Sequence, residues 1–93
     1  MQVFVRRHLY ISGRIQGVGF RAFILQHARK NGVNGWVKNT YDGKVEAVFS
    51  GGEDKVTSLI KLAKKGPRWA RVENIEIRKE DYQDKFEEFT VKY

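Results

Sequence analysis

Cysteine is absent from these 93 residues, which excludes a disulfide framework, a thiolate zinc site and a cysteine nucleophile together. No stretch approaches the ~18 consecutive apolar residues that cross a bilayer, so no membrane partner is expected. The opening MQVFVRRHLY lacks the apolar run and small-residue cleavage site of a signal peptide, and a cytoplasmic protein is the expectation. Acid is the scarcer charge: 11 Asp and Glu stand against 18 Lys and Arg, for a net charge of +7. Such a surface favours anionic partners, a phosphate ester or nucleic acid, although surplus lysine also serves solubility alone. His8 and His27 have no carboxylate or second ligand at a recognisable spacing, so neither is expected to hold a metal or act as a general base. Internal repeats, linkers and low-complexity segments are absent too.

What is present suits one globular domain over residues 1–93. The chain is 41% apolar and carries two tryptophans, four tyrosines and six phenylalanines, enough for large core pieces. A chain of this length buries roughly 60–65% of its unfolded surface, which builds one core but not two lobes.

Periodicity divides the chain into six main elements and a tail. Residues 7–14 alternate, with Leu9 and Ile11 on one side and His8, Tyr10 and Ser12 on the other, as in a half-buried strand. From Phe20 to about Lys30, Phe20, Phe23, Ile24 and Ala28 recur at helical spacing, and Asn31-Gly32 supplies a stop. Residues 33–39 and 43–51 read as strands around Thr40-Tyr41-Asp42-Gly43, and Asp-Gly before a strand signals a hairpin. Val56, Leu59, Ile60 and Ala63 mark a second amphipathic helix over 53–65. Glu53 and Asp54 open it and Lys64 and Lys65 close it, as the helix dipole prefers, and Gly66-Pro67 ends it. Val72, Ile75 and Ile77 lie in a strand over 72–78 but break strict alternation, which predicts a bulge. The tail FEEFTVKY alternates Phe89, Val91 and Tyr93 as a last strand. The order β-α-β-β-α-β plus a terminal strand predicts an α+β, ferredoxin-like sandwich, with two helices on one face of an antiparallel sheet.

The stretch GRIQGVGFR, residues 13–21, carries the chemistry. Converging backbone N–H groups bind anions, and convergence needs φ/ψ angles that Gly17 and Gly19 adopt without a Cβ penalty. A helix start adds unpaired N–H groups and the positive end of its dipole. Arg21 offers a planar fork that matches two phosphate oxygens. Read alone, the same residues also fit a plain tight turn with a solvated arginine. Gly17 to Ala22 matches G-x-G-x-x-A with Asp42 about 20 residues on, a dinucleotide fingerprint. That fingerprint needs a parallel βαβ unit, and the following strand here enters a hairpin. No Gly-Lys-Ser/Thr is present, so the loop is no Walker P-loop either.

GRIQGVGFR, GVNGWVKN at 32–39, DGKVEA at 42–47, GP at 66–67 and a closing FTVKY together resemble the acylphosphatase family, in order, from about Leu9 to Tyr93. The resemblance implies a ferredoxin-like fold and hydrolysis of a small-molecule acyl phosphate to a carboxylate and inorganic phosphate, with no metal and no cofactor. It implies that Gln16, Gly17, Val18, Gly19 and Phe20 cradle the phosphate, that Arg21 binds it, and that Asn39 orients the attacking water. Inorganic phosphate or sulfate is expected at the same site, and a monomer is expected in solution. Lys38 stands where basic residues are usual in the family. Asn39 by itself reads as a hairpin residue; its candidacy comes from the resemblance.

The alternative is a non-catalytic phosphate- or nucleic-acid-binding module on the same fold. RNA-recognition modules share this architecture, but their third strand carries a basic-Gly-aromatic-Gly-aromatic signature. Here that strand is KVEAVFS, with Glu46 where an exposed platform would sit, so no specific nucleic-acid partner is expected. Trp36 and Trp69 are expected to plug the core or loop junctions, and Arg6-Arg7 to be solvated surface.

Overall fold

The computed structural model describes residues 2–93. Its elements are β1 (Phe4–Arg14), α1 (Phe20–Asn31), β2 (Asn34–Asn39), β3 (Val45–Gly52), α2 (Glu53–Lys65), β4 (Arg71–Glu80) and β5 (Phe89–Lys92). The strands form one sheet in the order β4-β1-β3-β2-β5. β1 runs antiparallel to both β3 and β4, and β2 antiparallel to β3. Both helices pack on the same face, so the ferredoxin-like sandwich expected from the element order is the fold. β5 adds one parallel pairing, to β2. β4 ends and β5 begins at the same end of the sheet on opposite edges. Residues 81–88 cross that end and turn back, and a strand returning antiparallel to β4 is necessarily parallel to β2.

Side chains sort as the periodicity dictates. Leu9 and Ile11 of β1, Val37 of β2, and Val45, Ala47 and Phe49 of β3 are fully buried beneath the helices. α1 lays Phe20, Ile24 and Ala28 onto them, and α2 adds Val56, Leu59 and Ala63. The first strand starts three residues earlier than its alternation suggests, because β3 continues to Gly52 and pairs with Phe4. The broken alternation in β4 is a bulge. Ser12 pairs with Asn74 and Gly13 with Val72, leaving Glu73 between them without a partner, and Val72 and Ile75 both pack on the core.

Three surface expectations are corrected. Trp69 lies 71% exposed in the α2–β4 loop, with the Arg68 guanidinium 5.2 Å from its ring. Trp36 sits half-buried on the sheet face away from the helices, with the ammonium groups of Lys38 and Lys92 5.6 Å and 4.5 Å from its ring. Arg6 is half-buried rather than solvated. Its Nε donates to Glu80 at 2.8 Å and its guanidinium lies over the Phe86 ring.

Candidate active site

Residues 15–19 leave β1 and enter α1 as a loop whose shape is fixed from both ends. Ile15 and Phe20 are buried, and Val18 packs against the core. Burying a phenylalanine contributes about 2–3 kcal/mol, so Phe20 anchors the loop and the helix start together. Gly17 and Gly19 hold φ of 75° and 78° in the left-handed region. Apart from their chain neighbours, no atom lies within 4 Å of where their Cβ atoms would stand, so conformation, not crowding, demands glycine here. The space beside this backbone is open to a ligand.

Gly19 caps α1, and the N–H groups of the first helical turn have no helical partner. That turn holds no acidic residue, whereas α2 opens on Glu53 and Asp54. The positive end of the α1 dipole therefore faces the loop uncompensated. Arg21 projects from this turn, half-buried, with its guanidinium 5.1 Å from the Tyr93 ring. Among the described residues no carboxylate pairs with it. Asn39 ends β2 on the helix side of the sheet, in register with Val45. Its Oδ1 is buried and is the only such side-chain atom, among the described residues, without a hydrogen-bond partner. An unpaired buried acceptor costs about 1–3 kcal/mol, and it accepts from any donor that arrives.

These groups line one cavity of about 250 Å³: Gly17, Gly19, Phe20, Arg21 and Asn39, with Ala22, Leu25, Val91 and Tyr93 as its more apolar wall. Of the residues singled out in sequence, Gln16 and Val18 lie in the loop but do not line this cavity. The Gln16 side chain bonds to the β2–β3 turn instead, a role with no sequence signal, since the partners are backbone carbonyls 24 and 28 residues away. Lys38 follows strand alternation to the opposite sheet face, where its Nζ lies 3.7 Å from Glu46.

A second polar cluster occupies that opposite face. His8 Nε2 meets Glu46 at 2.6 Å and Nδ1 meets Glu80 at 2.9 Å, so the histidine does have carboxylates, supplied by neighbouring strands. Burial pushes the Glu80 carboxyl up, and the hydrogen bonds from His8 and Arg6 outweigh it, holding the group below its ordinary value. In the turn, the Thr40 hydroxyl chiefly holds the Asp42 carboxyl below its ordinary value. Among the described residues no group of three His, Cys, Asp or Glu side chains converges to hold a metal ion.

An arginine without a carboxylate partner among the described residues, a loop with two positive-φ glycines, a bare helix start and an unpaired amide oxygen together suit a tetrahedral oxyanion with a water beside it. The chain matches the acylphosphatase family model over residues 7–91. It is 43% identical over 88 residues to an acylphosphatase of Syntrophobacter fumaroxidans, covering 95% of this chain and 91% of that one. An acylphosphatase of Pyrobaculum arsenaticum is 47% identical over 87 residues, covering 92% of each. The crystal structure of acylphosphatase from Bacillus subtilis superposes with a TM-score of 0.92 at 32% identity, over 96% of this chain and 99% of that one. With the family model matching residues 7–91 of this chain and relatives matched over nine-tenths of their length, this chain belongs to the acylphosphatase family.

Proposed function

We propose that loop 16–20, Arg21 and Asn39 carry out the family's reaction in this chain, hydrolysis of the carboxyl–phosphate bond. The backbone N–H groups of Gln16 to Phe20 and the Arg21 fork hold the phosphate oxygens. Asn39 accepts a hydrogen bond from water through its carbonyl oxygen and aligns it opposite the leaving group. The water oxygen bonds to phosphorus as the bridging P–O bond breaks and its electrons leave on the carboxylate. An amide is too weak a base to keep the water's proton, which passes to a phosphate oxygen. The observation that carries this reading is the meeting of Arg21, Gly17, Gly19 and Asn39 in one cavity.

The chemistry fits the residues available. A carboxylate leaves without protonation, and a loose phosphoryl transition state asks for positioning and charge stabilisation rather than a general acid. The reaction then needs no metal or cofactor. Phosphate and sulfate compete at the same site, and the protein works as a cytoplasmic monomer without a nucleic-acid partner.

Phosphate release from a small acyl phosphate in the presence of EDTA tests the reading, beside a phosphate-monoester control. Acyl phosphate is expected to turn over undiminished by EDTA and monoester hardly at all, because a monoester leaves as an alkoxide that wants a proton. Loss of activity in EDTA, or faster monoester turnover, counts against the mechanism. Phosphate binding alone without turnover would point to a non-catalytic anion module.

Inorganic phosphate is also expected to inhibit competitively and to raise the melting temperature. At ~100 Kd of phosphate the stabilisation should approach about 2.7 kcal/mol. A melt unmoved by phosphate, or NMR amide shifts away from residues 16–21, would place the anion elsewhere.

A further inference from the structure

The Gln16 carboxamide is committed to the β2–β3 turn. Its Nε2 donates to Thr40 O at 3.0 Å and to Lys44 O at 2.8 Å. These two residues close the turn. The Thr40 N–H donates to Lys44 O at 2.8 Å, and the Lys44 N–H donates to the Thr40 hydroxyl at 3.0 Å. Thr40 directly follows Asn39, and Lys44 directly precedes Val45, the partner of Asn39 across the ladder. One amide group therefore grips the backbone on both strands beside Asn39.

Nothing else in the backbone makes this connection. The β1–β3 ladder ends at Ile11 and Val45, and beyond it β1 pairs only with β4, as far as Arg14. Among the described residues no backbone hydrogen bond joins residues 15–19 to residues 39–44. The phosphate loop and the strand end bearing Asn39 thus meet along an edge without a ladder, and Gln16 spans it. Buried Ile15 fixes the near side of the link.

We infer that Gln16 is a positioning residue for acyl phosphate hydrolysis: its side chain sets the placement of Asn39 relative to the phosphate loop. The inference rests on the reading of Asn39 as the group that aligns water. The task suits glutamine chemically. Both partners are carbonyls that only accept, so the link needs two N–H donors on one uncharged arm. Glutamate of the same shape would turn an acceptor oxygen towards both carbonyls in place of Nε2 and push the loop and the turn apart. In-line attack is sensitive to such displacement, since a misplacement of about 1 Å costs about 100-fold.

The test is a double-mutant cycle read by steady-state kinetics and phosphate inhibition, on variants shown by thermal melts to be folded at the assay temperature. Gln16→Ala is expected to lower kcat by about 10- to 100-fold while phosphate affinity changes by about threefold or less. Gln16→Glu should lose more than Gln16→Ala. In an Asn39→Ala background, Gln16→Ala should cost only about threefold or less, because the group being positioned is gone. A role confined to fold stability predicts a lower melting temperature and the same loss in both backgrounds. Near wild-type kcat in both Gln16 variants, or full additivity with Asn39→Ala, overturns the inference. A loss of phosphate affinity matching the loss of kcat also overturns it, by placing the side chain in the cradle. Unsubstituted protein that releases no phosphate from acyl phosphate would overturn the functional reading and this inference together. Activity with additivity overturns this inference alone.

Discussion

Arg21→Lys is expected to lower kcat/KM by about 10³-fold or more, with the protein still folded. The substitution keeps the charge and removes the geometry. A guanidinium presents two parallel N–H groups to two phosphate oxygens, whereas an ammonium is a point charge on a flexible stem. Losing one well-placed donor at a developing charge costs about 2.7–4 kcal/mol, and the fork supplies two. Arg21 has no carboxylate partner among the described residues to share its donors, and its guanidinium lies 5.1 Å from the exposed Tyr93 ring. The whole fork is therefore available to the ligand. Phosphate is charged before and during transfer, so binding and rate should both fall. The side chain lies outside the core cluster, and the melting temperature should barely move. Steady-state kinetics and phosphate titration of Arg21→Lys decide it. Activity near that of the unsubstituted protein would mean that positive charge alone suffices and that the fork is not used.

Much of the arrangement is written in local patterns. The helices follow from apolar spacing, and Phe20, Ile24 and Ala28 are buried as that spacing requires. The bulge in β4 is legible because an extra residue shifts Val72 out of phase with Ile75 and Ile77. Gly17 and Gly19 declare their backbone conformation by having no side chain, and both adopt positive φ. Other features depend on which strands become neighbours, and period-2 patterns do not carry that information. His8 looks isolated in sequence, yet Glu46 and Glu80 reach it from β3 and β4. Trp36 reads as core material, but strand alternation places it with Lys38 and Lys92 on the face opposite the helices. β5 is legible as a strand, while its parallel pairing is set by the path of residues 81–88 across the sheet end. Asn39 is the sharpest case at the site. Its residue type suits any hairpin, and its meaning lies in a buried oxygen without a partner.

Asn39→Ala separates alignment of water from binding of phosphate. It is expected to lower kcat by ~10²–10³, equivalent to about 2.7–4 kcal/mol, with phosphate affinity nearly unchanged. Asn39 acts on the water, whereas the loop and Arg21 act on the phosphate, so a ligand lacking the attacking water should not register its loss. A fall in kcat without a change in affinity marks an interaction made mainly in the transition state. Stability supplies an independent readout. No described protein group donates to Oδ1, so Asn39→Ala breaks no hydrogen bond that this oxygen makes within the protein. The melting temperature of Asn39→Ala should therefore fall little while activity collapses. Kinetics, phosphate titration and a thermal melt on the same preparation read all three quantities. If kcat stays near wild type, or phosphate binding disappears as in the Arg21 variants, Asn39 does not orient the water. A large drop in melting temperature would assign the amide to holding the β2–β3 turn instead.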